Sequence, residues 1–337
     1  MNAERPGAAG AGINPVRVGV RVAIRYRLPE GSQASFTDVV GVVTAANERQ
    51  VTVDSKKGLV TVARRDFVAA RAVPPAPVRR RRPHQAVGTA DLERLIVEGW
   101  RAVEQAGLGD WLLRASSGFT RRGNSVLPLG DPSLPLGNAV DYCERWYAGR
   151  GLPAMFHLDL TASGLPEDDP LGAELVSRGY VVEQPTVTMT AASSDVPPLT
   201  EQSVPVVMDA ALTPAWLQAY ARQRSIRPGI TEQVLTGSPG QLFASTTAAG
   251  ARITALARMS VQPGWAGIHA LWVNPLARRQ GLGRTLVQAV AHLARQHRMG
   301  SLFLQVEADN DAALRLYESL TFTTHHTYVY LVAAGSA

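Results

Sequence analysis

Cysteine is nearly missing from this chain, which has a single one, Cys143, in 337 residues. One thiol excludes an internal disulfide and most cysteine-based metal sites, so we expect no metal. Such sparing use of cysteine fits the reducing cytoplasm, which is the expected location.

Long apolar runs are missing too. No stretch of about 18 apolar residues occurs, so the sequence predicts no membrane span and no membrane partner. Met1 to Gly12 also lacks the apolar core of a signal peptide. Hydrophobic residues still make up 45% of the chain, which is enough to build the cores of two or three domains.

Lysine is limited to Lys56 and Lys57, so nearly all the positive charge behind the formal net charge of +6 is arginine. Arginine suits bidentate binding of phosphate and carboxylate. The short basic run Arg79 to Arg82 is able to contact a phosphate backbone. Because it has no interleaved aromatic residues for base stacking, a solvated linker is favoured and nucleic acid is not an expected partner.

The N-terminal part of the chain predicts a small β domain. A Gly/Ala-rich tail over 1–15 is expected to be disordered, and residues 16–73 contain short alternating strands separated by turn residues. About five strands in so short a segment predict an SH3-like β-barrel, which acts either as a passive docking module or as a binder of peptide or nucleic acid. A Pro/Arg linker over 74–88 follows.

From Thr89 onward the pattern is that of an α/β fold, and it runs twice. An amphipathic helix is expected over Asp91–Ala106. In 89–192, and again in 204–333, strand, helix, strand and helix follow in the same order, which indicates a diverged internal duplication.

The first copy lacks the chemistry-bearing residues of the second. Leu127-Pro-Leu-Gly-Asp-Pro-Ser ends its first strand, and Leu175 stands on its second helix. We therefore expect a structural or acceptor-shaping half. A ligand groove lined by Arg121, Arg122 and Asn124 is the less favoured alternative.

In the second copy a strand, Ile268–Val273, ends at Asn274-Pro275, and a helix starts shortly afterwards, within Arg278-Arg279-Gln280-Gly281-Leu282-Gly283. The glycines allow a close backbone approach. The free N–H groups and the dipole of a helix start suit a pyrophosphate. A dinucleotide fold is disfavoured, because its G-x-G-x-x-G after the first strand and its later acidic residue are not seen.

A second motif follows the next strand, Leu302–Val306. Asn310, Ala313 and Tyr317 are spaced to share one helix face, with Asn310 as a good N-cap. Either motif alone is weak. Their order along the chain makes the combination specific.

This combination resembles the GNAT superfamily of acyl-CoA-dependent N-acyltransferases over about residues 204–333. The motifs that carry the resemblance are Val273-x-Pro275, Arg278-x-x-Gly281-x-Gly283 and Asn310…Ala313…Tyr317 before Leu320-Thr321-Phe322. Thr321 departs from the family's usual glycine and affects a turn. The implied fold class is α/β, with tandem GNAT-like domains, each a mixed central sheet flanked by helices, preceded by the small barrel.

The resemblance implies an acetyl-CoA-dependent N-acetyltransferase. The pyrophosphate is expected on the helix start, and the pantetheine between strands 268–273 and 302–306, which splay apart in the family. The implied binding residues are Leu271, Trp272, Val273, Arg278, Arg279, Gln280, Gly281, Leu282, Gly283, Arg284, Thr285, Asn310, Ala313 and Tyr317.

Tyr317 is the implied acid that protonates the leaving thiolate. Two residues are candidates for the general base. His269 is expected to share a strand face with Leu271 and Val273, and Glu307 ends the next strand. The alternatives without a catalytic role are a core histidine for His269 and a surface glutamate for Glu307. His325 and His326 are weaker candidates for the base.

The acceptor is an amine that the sequence does not identify. The family builds its acceptor pocket from the first helices, here Ala219–Ile230, whose Arg222, Arg224 and Arg227 suit a carboxylate or are simply solvated. The whole arrangement also resembles an actinobacterial GNAT group associated with N-acetylglutamate synthesis, which makes glutamate a candidate. A non-catalytic acyl-CoA sensor or scaffold is the rival function, and the oligomeric state is left open.

Overall fold

The computed structural model describes residues 16–29, 31–32, 34–73, 82–160, 163–183, 185–247 and 252–334. It divides into two compact units, Met1–Arg80 and Arg81–Ala337. The expected tail over 1–15 and residues 74–81 of the expected linker, which include Arg79 to Arg81, lie outside the described residues.

The first unit is a five-stranded antiparallel sheet, and the expected short strands are confirmed. Its strands are β1 (Arg21–Arg27), β2 (Phe36–Ala46), β3 (Gln50–Ser55), β4 (Gly58–Ala63) and β5 (Phe67–Ala72). They follow the order β4-β3-β2-β1-β5. β-branched residues at alternate positions point into one core, which is formed by Val22, Ile24, Val39, Val43, Val51, Val53 and Val62.

The second unit contains eight helices within its described residues, packed on a single sheet. The helices are α1 (Pro83–Ala86), α2 (Thr89–Gly99), α3 (Leu136–Ala148), α4 (Pro170–Ser177), α5 (Pro214–Ala221), α6 (Ile230–Thr236), α7 (Leu282–Gln296) and α8 (Asp311–Glu318). The first of these, α1, lies within the segment expected to be a linker.

Twelve strands form that sheet. They are β6 (Glu104–Leu108), β7 (Trp111–Ala115), β8 (Val126–Pro128), β9 (Met155–Asp159), β10 (Val181–Val182), β11 (Thr186–Ala192), β12 (Val207–Asp209), β13 (Leu242–Thr247), β14 (Ile253–Gln262), β15 (Trp265–Val273), β16 (Ser301–Glu307) and β17 (Thr323–Val332). Their order is β12-β13-β14-β15-β16-β11-β17-β9-β8-β7-β6, with β10 also paired to β17.

The two α/β copies exchange strands within this sheet. β11 belongs to the first copy but lies between β16 and β17 of the second. β17 belongs to the second copy and continues along β9 and β10 of the first. Each copy therefore completes its sheet with a strand of the other, and both share one compact unit.

The turns after α4 and α8 support the predicted duplication. The Tyr180 N–H donates to the Leu175 carbonyl, and the Phe322 N–H donates to the Tyr317 carbonyl, at 3.0 and 3.1 Å. The residue before each aromatic has a positive φ, +81° at Gly179 and +70° at Thr321. Leu175 thus occupies the position of Tyr317, and Thr321 adopts the conformation that glycine adopts most readily.

The helix expected over Asp91–Ala106 is wrong beyond Gly99. Residues 104–108 form β6, which pairs with β7 so that Leu108 faces Trp111 across a two-residue turn. Gly109 in that turn has a φ of +53°. The Gly109-Asp110 pair is the hairpin signal that the helical periodicity obscured.

Candidate active site

The turn between β15 and α7 has the backbone of an anion site. Arg279 and Gly281 both have positive φ angles, +64° and +77°, and Gly281 caps the helix. The first intrahelical bond runs from the Thr285 N–H to the Gly281 carbonyl at 3.0 Å. The N–H groups of residues 282–284 therefore have no acceptor in the helix and remain available to a ligand at its start.

Arginine side chains surround this helix start. Arg278 and Arg279 are exposed, and Arg284 donates to Ser319 Oγ on the turn after α8 at 2.7 Å. Across the described part of the chain, none of these three arginines forms an ion pair with a carboxylate. Their charge is available to a phosphate.

Close packing behind the turn explains its second glycine. A Cβ on Gly283 would lie 3.2 Å from Leu316 Cδ2 and 3.6 Å from Val273 Cγ2. Leu282 is buried with Leu286 beside it, under the end of β15. The loop therefore holds α7, α8 and β15 together at one point.

The turn before α3 in the first copy carries carboxylates instead of arginines. At the corresponding turn before α3, the Asp131 N–H donates to the Asp110 carboxylate and the Ser133 N–H donates to Asp131 Oδ1. Two carboxylates therefore occupy the place where the second copy has arginines. A phosphate would be repelled there, which agrees with the expectation that this copy lacks the machinery.

β15 and β16 separate at the middle of the sheet. Their parallel pairing runs from Trp265 with Ser301 to Ile268 with Leu304 and then stops. β15 continues along β14 up to Val273. The expected splay between the two strands is therefore present, and it opens beside His269.

A β-bulge in β15 reverses the side-chain pattern at this opening. Ala270 and Leu271 oppose only Ala257 of β14, and Ala270 has a φ of +54°. Leu271 and Val273 pack on the α7 side. His269 points to the opposite face, so the expectation that it shares their face is wrong, because the extra residue shifts the period of two.

His269 lies in a buried pocket formed by both copies. Its ring centroid is 5.5 Å from that of Trp100 and 5.6 Å from that of Phe303. Its Nδ1 accepts from Arg122 Nη1 at 3.3 Å, since a guanidinium can only donate. Its Nε2 therefore carries the proton and donates to Ser260 Oγ at 2.8 Å.

This environment keeps the imidazole of His269 neutral. Burial is the main cause that holds its pKa well below the ordinary 6.5, and the positive charges of Arg258 and Arg122 act in the same direction. The side chain is a neutral hydrogen-bonding group at physiological pH.

Tyr317 is buried on α8, where Asn310 caps the helix by accepting from the Ala313 N–H at 3.2 Å. Its ring packs against Phe322 at 5.9 Å. Burial raises the pKa of Tyr317 to about 12. Within the residues that the structure describes, its hydroxyl makes no hydrogen bond, so its proton remains available to a ligand.

Glu307 ends β16 opposite Thr186 and is exposed. It has no ion pair within the described ranges. Its carboxylate lies at the end of β16, beyond the point where β16 separates from β15. Among the described residues, no partner fixes the position of this carboxylate.

The site also contains residues that sequence reasoning missed. Trp100 was placed inside a helix that ends at Gly99, and Arg258 lies on a strand whose periodicity gave no sign of a buried cation. Trp100 and Arg258 both lie near His269, since the Arg258 guanidinium carbon is 5.5 Å from the Trp100 ring. Arg122, which the sequence indicates only as part of the less favoured ligand groove, comes from the other copy.

The described residues contain neither a metal-binding cluster nor a membrane-spanning helix. No group of three or more His, Cys, Asp or Glu side chains there is arranged to hold a metal ion. No helix there is long and apolar enough to cross a membrane.

Comparison with known proteins identifies the family of this chain. A protein-family model described as "Probable histone acetyltransferase Rv0428c C-terminal" matches residues 89–331. The chain belongs to this family. A second model, described as "Rv0428c N-terminal Sm-like domain", matches residues 16–71, so the expected small β domain is confirmed and is Sm-like.

The curated relatives are acetyltransferases. The uncharacterized N-acetyltransferase YobR of Bacillus subtilis is 29% identical over 70% of this chain and 96% of its own length. The probable histone acetyltransferase Rv0428c of Mycobacterium tuberculosis is 36% identical over 45% of this chain and 47% of its own length. The expected enzyme class, a GNAT-type N-acetyltransferase, is confirmed.

A solved structure supports the fold. A GCN5-related N-acetyltransferase from Kribbella flavida aligns with a TM-score of 0.54 and 17% identity, covering 74% of this chain and 97% of its own. The expected tandem α/β fold class is confirmed.

Proposed function

We propose that the protein transfers the acetyl group of acetyl-CoA directly to a primary amine. The amine nitrogen attacks the thioester carbonyl carbon and the C–S bond breaks. The amine loses one proton and the thiolate gains one, so the products are an N-acetyl amine and free CoA. GNAT acetyltransferases use acetyl-CoA, and this chain has the parts to bind it.

The separation of β15 from β16 beside an arginine-rich helix start carries this proposal. The N–H groups from Arg279 to Arg284 and the side chains of Arg278, Arg279 and Arg284 suit the pyrophosphate. Leu271, Trp272 and Val273 border the strand opening, where an extended pantetheine fits. Asn310 and Ala313 fix the start of α8, which carries Tyr317.

Tyr317 is the proposed general acid. Its pKa of about 12 keeps it protonated at neutral pH, and although this makes the phenol a weak acid, direct contact with the departing thiolate would allow the transfer. Its hydroxyl has no other partner among the described residues. The proton that it gives to the departing sulfur is replaced from solvent.

His269 is the proposed general base, and Glu307 is the alternative. His269 borders the strand opening and is neutral, and its Nδ1 would take the proton in place of the hydrogen bond that it accepts from Arg122. Its lowered pKa makes it a weak base, but the same cations also lower the pKa of an amine bound nearby. A loss of turnover in Glu307→Gln but not in His269→Gln would transfer the role to Glu307.

The acceptor class remains a proposal. An amino acid such as glutamate, another small amine and a protein amine all fit the reaction. Arg222, Arg224 and Arg227 lie on the exposed segment between α5 and α6, on the same face of the sheet as Trp100. Residence in the cytoplasm stays a prediction from the cysteine content.

The test is CoA release from acetyl-CoA with a panel of amines. We expect Tyr317→Phe to lower kcat by about 10²-fold or more while calorimetry shows unchanged acetyl-CoA affinity. Tyr142→Phe, an exposed tyrosine on α3, is the matched control and should behave as wild type. Binding without CoA release for any amine would instead support the rival function of an acyl-CoA sensor or scaffold.

A further inference from the structure

Two arginines without acidic partners share one aromatic ring beside the strand opening. The guanidinium carbons of Arg122 and Arg258 lie 5.3 and 5.5 Å from the centre of the Trp100 ring. No carboxylate pairs with either arginine in the part of the chain that the structure describes. The site therefore concentrates positive charge in surroundings of low polarity.

Arg258 is fully buried and only partly satisfied. Its Nε donates to the Leu235 carbonyl and its Nη1 to the Gly99 carbonyl, both at 2.7 Å. These carbonyls belong to the C-terminal turns of α6 and α2, whose dipoles favour a cation. Its Nη2 is buried and finds no acceptor among the described residues. One donor of a buried cation is thus unused.

Asn124 fixes the turn that contains Arg122, because both its amide oxygen and its amide nitrogen form hydrogen bonds with the backbone. Asn124 Oδ1 accepts from the Ser116 and Gly118 N–H groups, and Nδ2 donates to the Phe119 and Thr120 carbonyls, all between 2.7 and 2.8 Å. The turn that carries Arg122 is therefore rigid. The role of Asn124 is structural.

The neighbouring Arg121 provides a contrast within the same turn. Arg121 forms an ion pair with Glu183. Among the described residues, the contacts of Arg122 are instead with neutral groups, the imidazole of His269 and the ring of Trp100. Arg122 as a residue is half-buried, which leaves part of it accessible to a ligand.

The electrostatic consequences appear on the neighbouring groups. Burial together with the charge of Arg122 lowers the pKa of Arg258 to about 9. Arg224, Arg122 and Arg258 all favour the ionised form of Tyr220, although burial still raises the pKa of that phenol. Such a field repels a basic peptide, attracts an anion and favours the neutral form of a bound amine.

We propose that Arg122, with the charge of Arg258 behind it and the Trp100 ring beside it, binds a carboxylate on the acceptor amine. The enzyme then selects amino acids or similar small amino-carboxylates, and the first α/β copy supplies the specificity residue. This inference rests on the proposed acetyl transfer. It gives the catalytically silent copy a role, since Arg122 is bound to His269 at the point where β15 and β16 separate.

The test compares acceptors in pairs that differ only in a carboxylate. CoA release is measured with amino acids and with their α-carboxamides, and with a lysine-rich basic peptide. The proteins are wild type, Arg122→Gln, Arg122→Lys and the matched control Arg121→Gln. In parallel, tryptophan fluorescence is titrated with N-acetylglycine and N-acetylglycinamide, and calorimetry gives the acetyl-CoA affinity of each protein.

We expect wild type to prefer the carboxylate over the carboxamide by about tenfold or more in kcat/KM, the size of a charge-assisted hydrogen bond. Arg122→Gln should remove the preference, so that its kcat/KM values for the carboxylate and the carboxamide become similar. Arg122→Lys should retain part of it, and Arg121→Gln should retain all of it. N-acetylglycine should saturate wild type but not Arg122→Gln.

Several results would overturn the inference. One is equal use of carboxamides by wild type, and another is better use of the basic peptide. A third is the same loss in Arg121→Gln and Arg122→Gln. A panel without turnover, together with no response to N-acetylglycine, also overturns it. Failure of wild type to bind acetyl-CoA would instead defeat the proposed acetyl transfer itself.

Discussion

The Nη1 atom of Arg122 lies 3.3 Å from Nδ1 of His269, although 147 residues separate the two in the chain. Arg122 belongs to the first α/β copy, and His269 belongs to the second. Because the contact fixes the proton of His269 on Nε2, a residue of the first copy determines the tautomer of a residue at the proposed reaction site.

Acidification below pH 6.5 should destabilise the protein. The folded pKa of His269 lies well below its ordinary 6.5, so the unfolded chain binds this proton at a higher pH than the folded chain does. The stability is therefore complete above the unfolded pKa and is lost as pH falls, with a slope of about 1.4 kcal/mol per pH unit for one such group. His84 and His325 have lowered pKa values and act in the same direction.

Urea unfolding at about pH 7.5 and about pH 5.5 measures this linkage. His269→Gln should show a smaller loss of unfolding free energy between the two conditions than wild type. An equal loss in both proteins would show that His269 is not the titrating group.

Replacing Arg258 should destabilise the second unit. Arg258→Met leaves the carbonyls of Leu235 and Gly99 without their donor. The expected loss of stability is about 2–4 kcal/mol. The loss of two charge-assisted hydrogen bonds outweighs the gain from no longer keeping a cation buried. Arg258→Lys should lose part of this stability, since an ammonium group retains the charge but cannot reproduce the two parallel N–H donors of the guanidinium. An unfolding free energy within about 0.5 kcal/mol of wild type for Arg258→Met would contradict this account.

Gly267 should not tolerate a methyl group. A Cβ there would lie 2.4 Å from Phe303 Cζ, 2.4 Å from Ser260 Oγ and 2.6 Å from His269 Nε2. Gly267→Ala is expected to lower stability by about 1–3 kcal/mol, the range for overpacking, and to disturb the Ser260–His269 hydrogen bond. Gly300→Ala, where a Cβ meets nothing within 4 Å, is the matched control. Equal melting temperatures for the two variants would refute the packing argument.

The proposed acetyl-CoA side of the site could be recognised in the sequence because its signals are local. A strand end, a glycine-bearing turn and a helix start are adjacent in the chain, and the helical spacing of Asn310, Ala313 and Tyr317 fixes their shared face. The structure adds the φ angles of Arg279 and Gly281 and the unused N–H groups that make the turn suitable for an anion.

The acceptor side could not be predicted because it depends on distant parts of the chain. The bulge at Ala270 has no sequence signal, since alanine rarely adopts a positive φ, and it moved His269 to the other face. The exchange of β11 and β17 between the copies is a long-range pairing that periodicity does not report. It is these two features that place Arg122, Trp100 and Arg258 around His269.

Binding of acetyl-CoA at the Gly281 turn is the central claim, and calorimetry on two matched variants tests it most directly. Gly281 and Gly151 both have positive φ angles and open space where a Cβ would stand, so glutamate introduces similar strain and charge at each. Only Gly281 caps the helix whose N–H groups face the proposed pyrophosphate. We predict that Gly281→Glu loses acetyl-CoA binding while Gly151→Glu binds as wild type does. Equal affinity in the two variants, or no binding by wild type, would contradict the account.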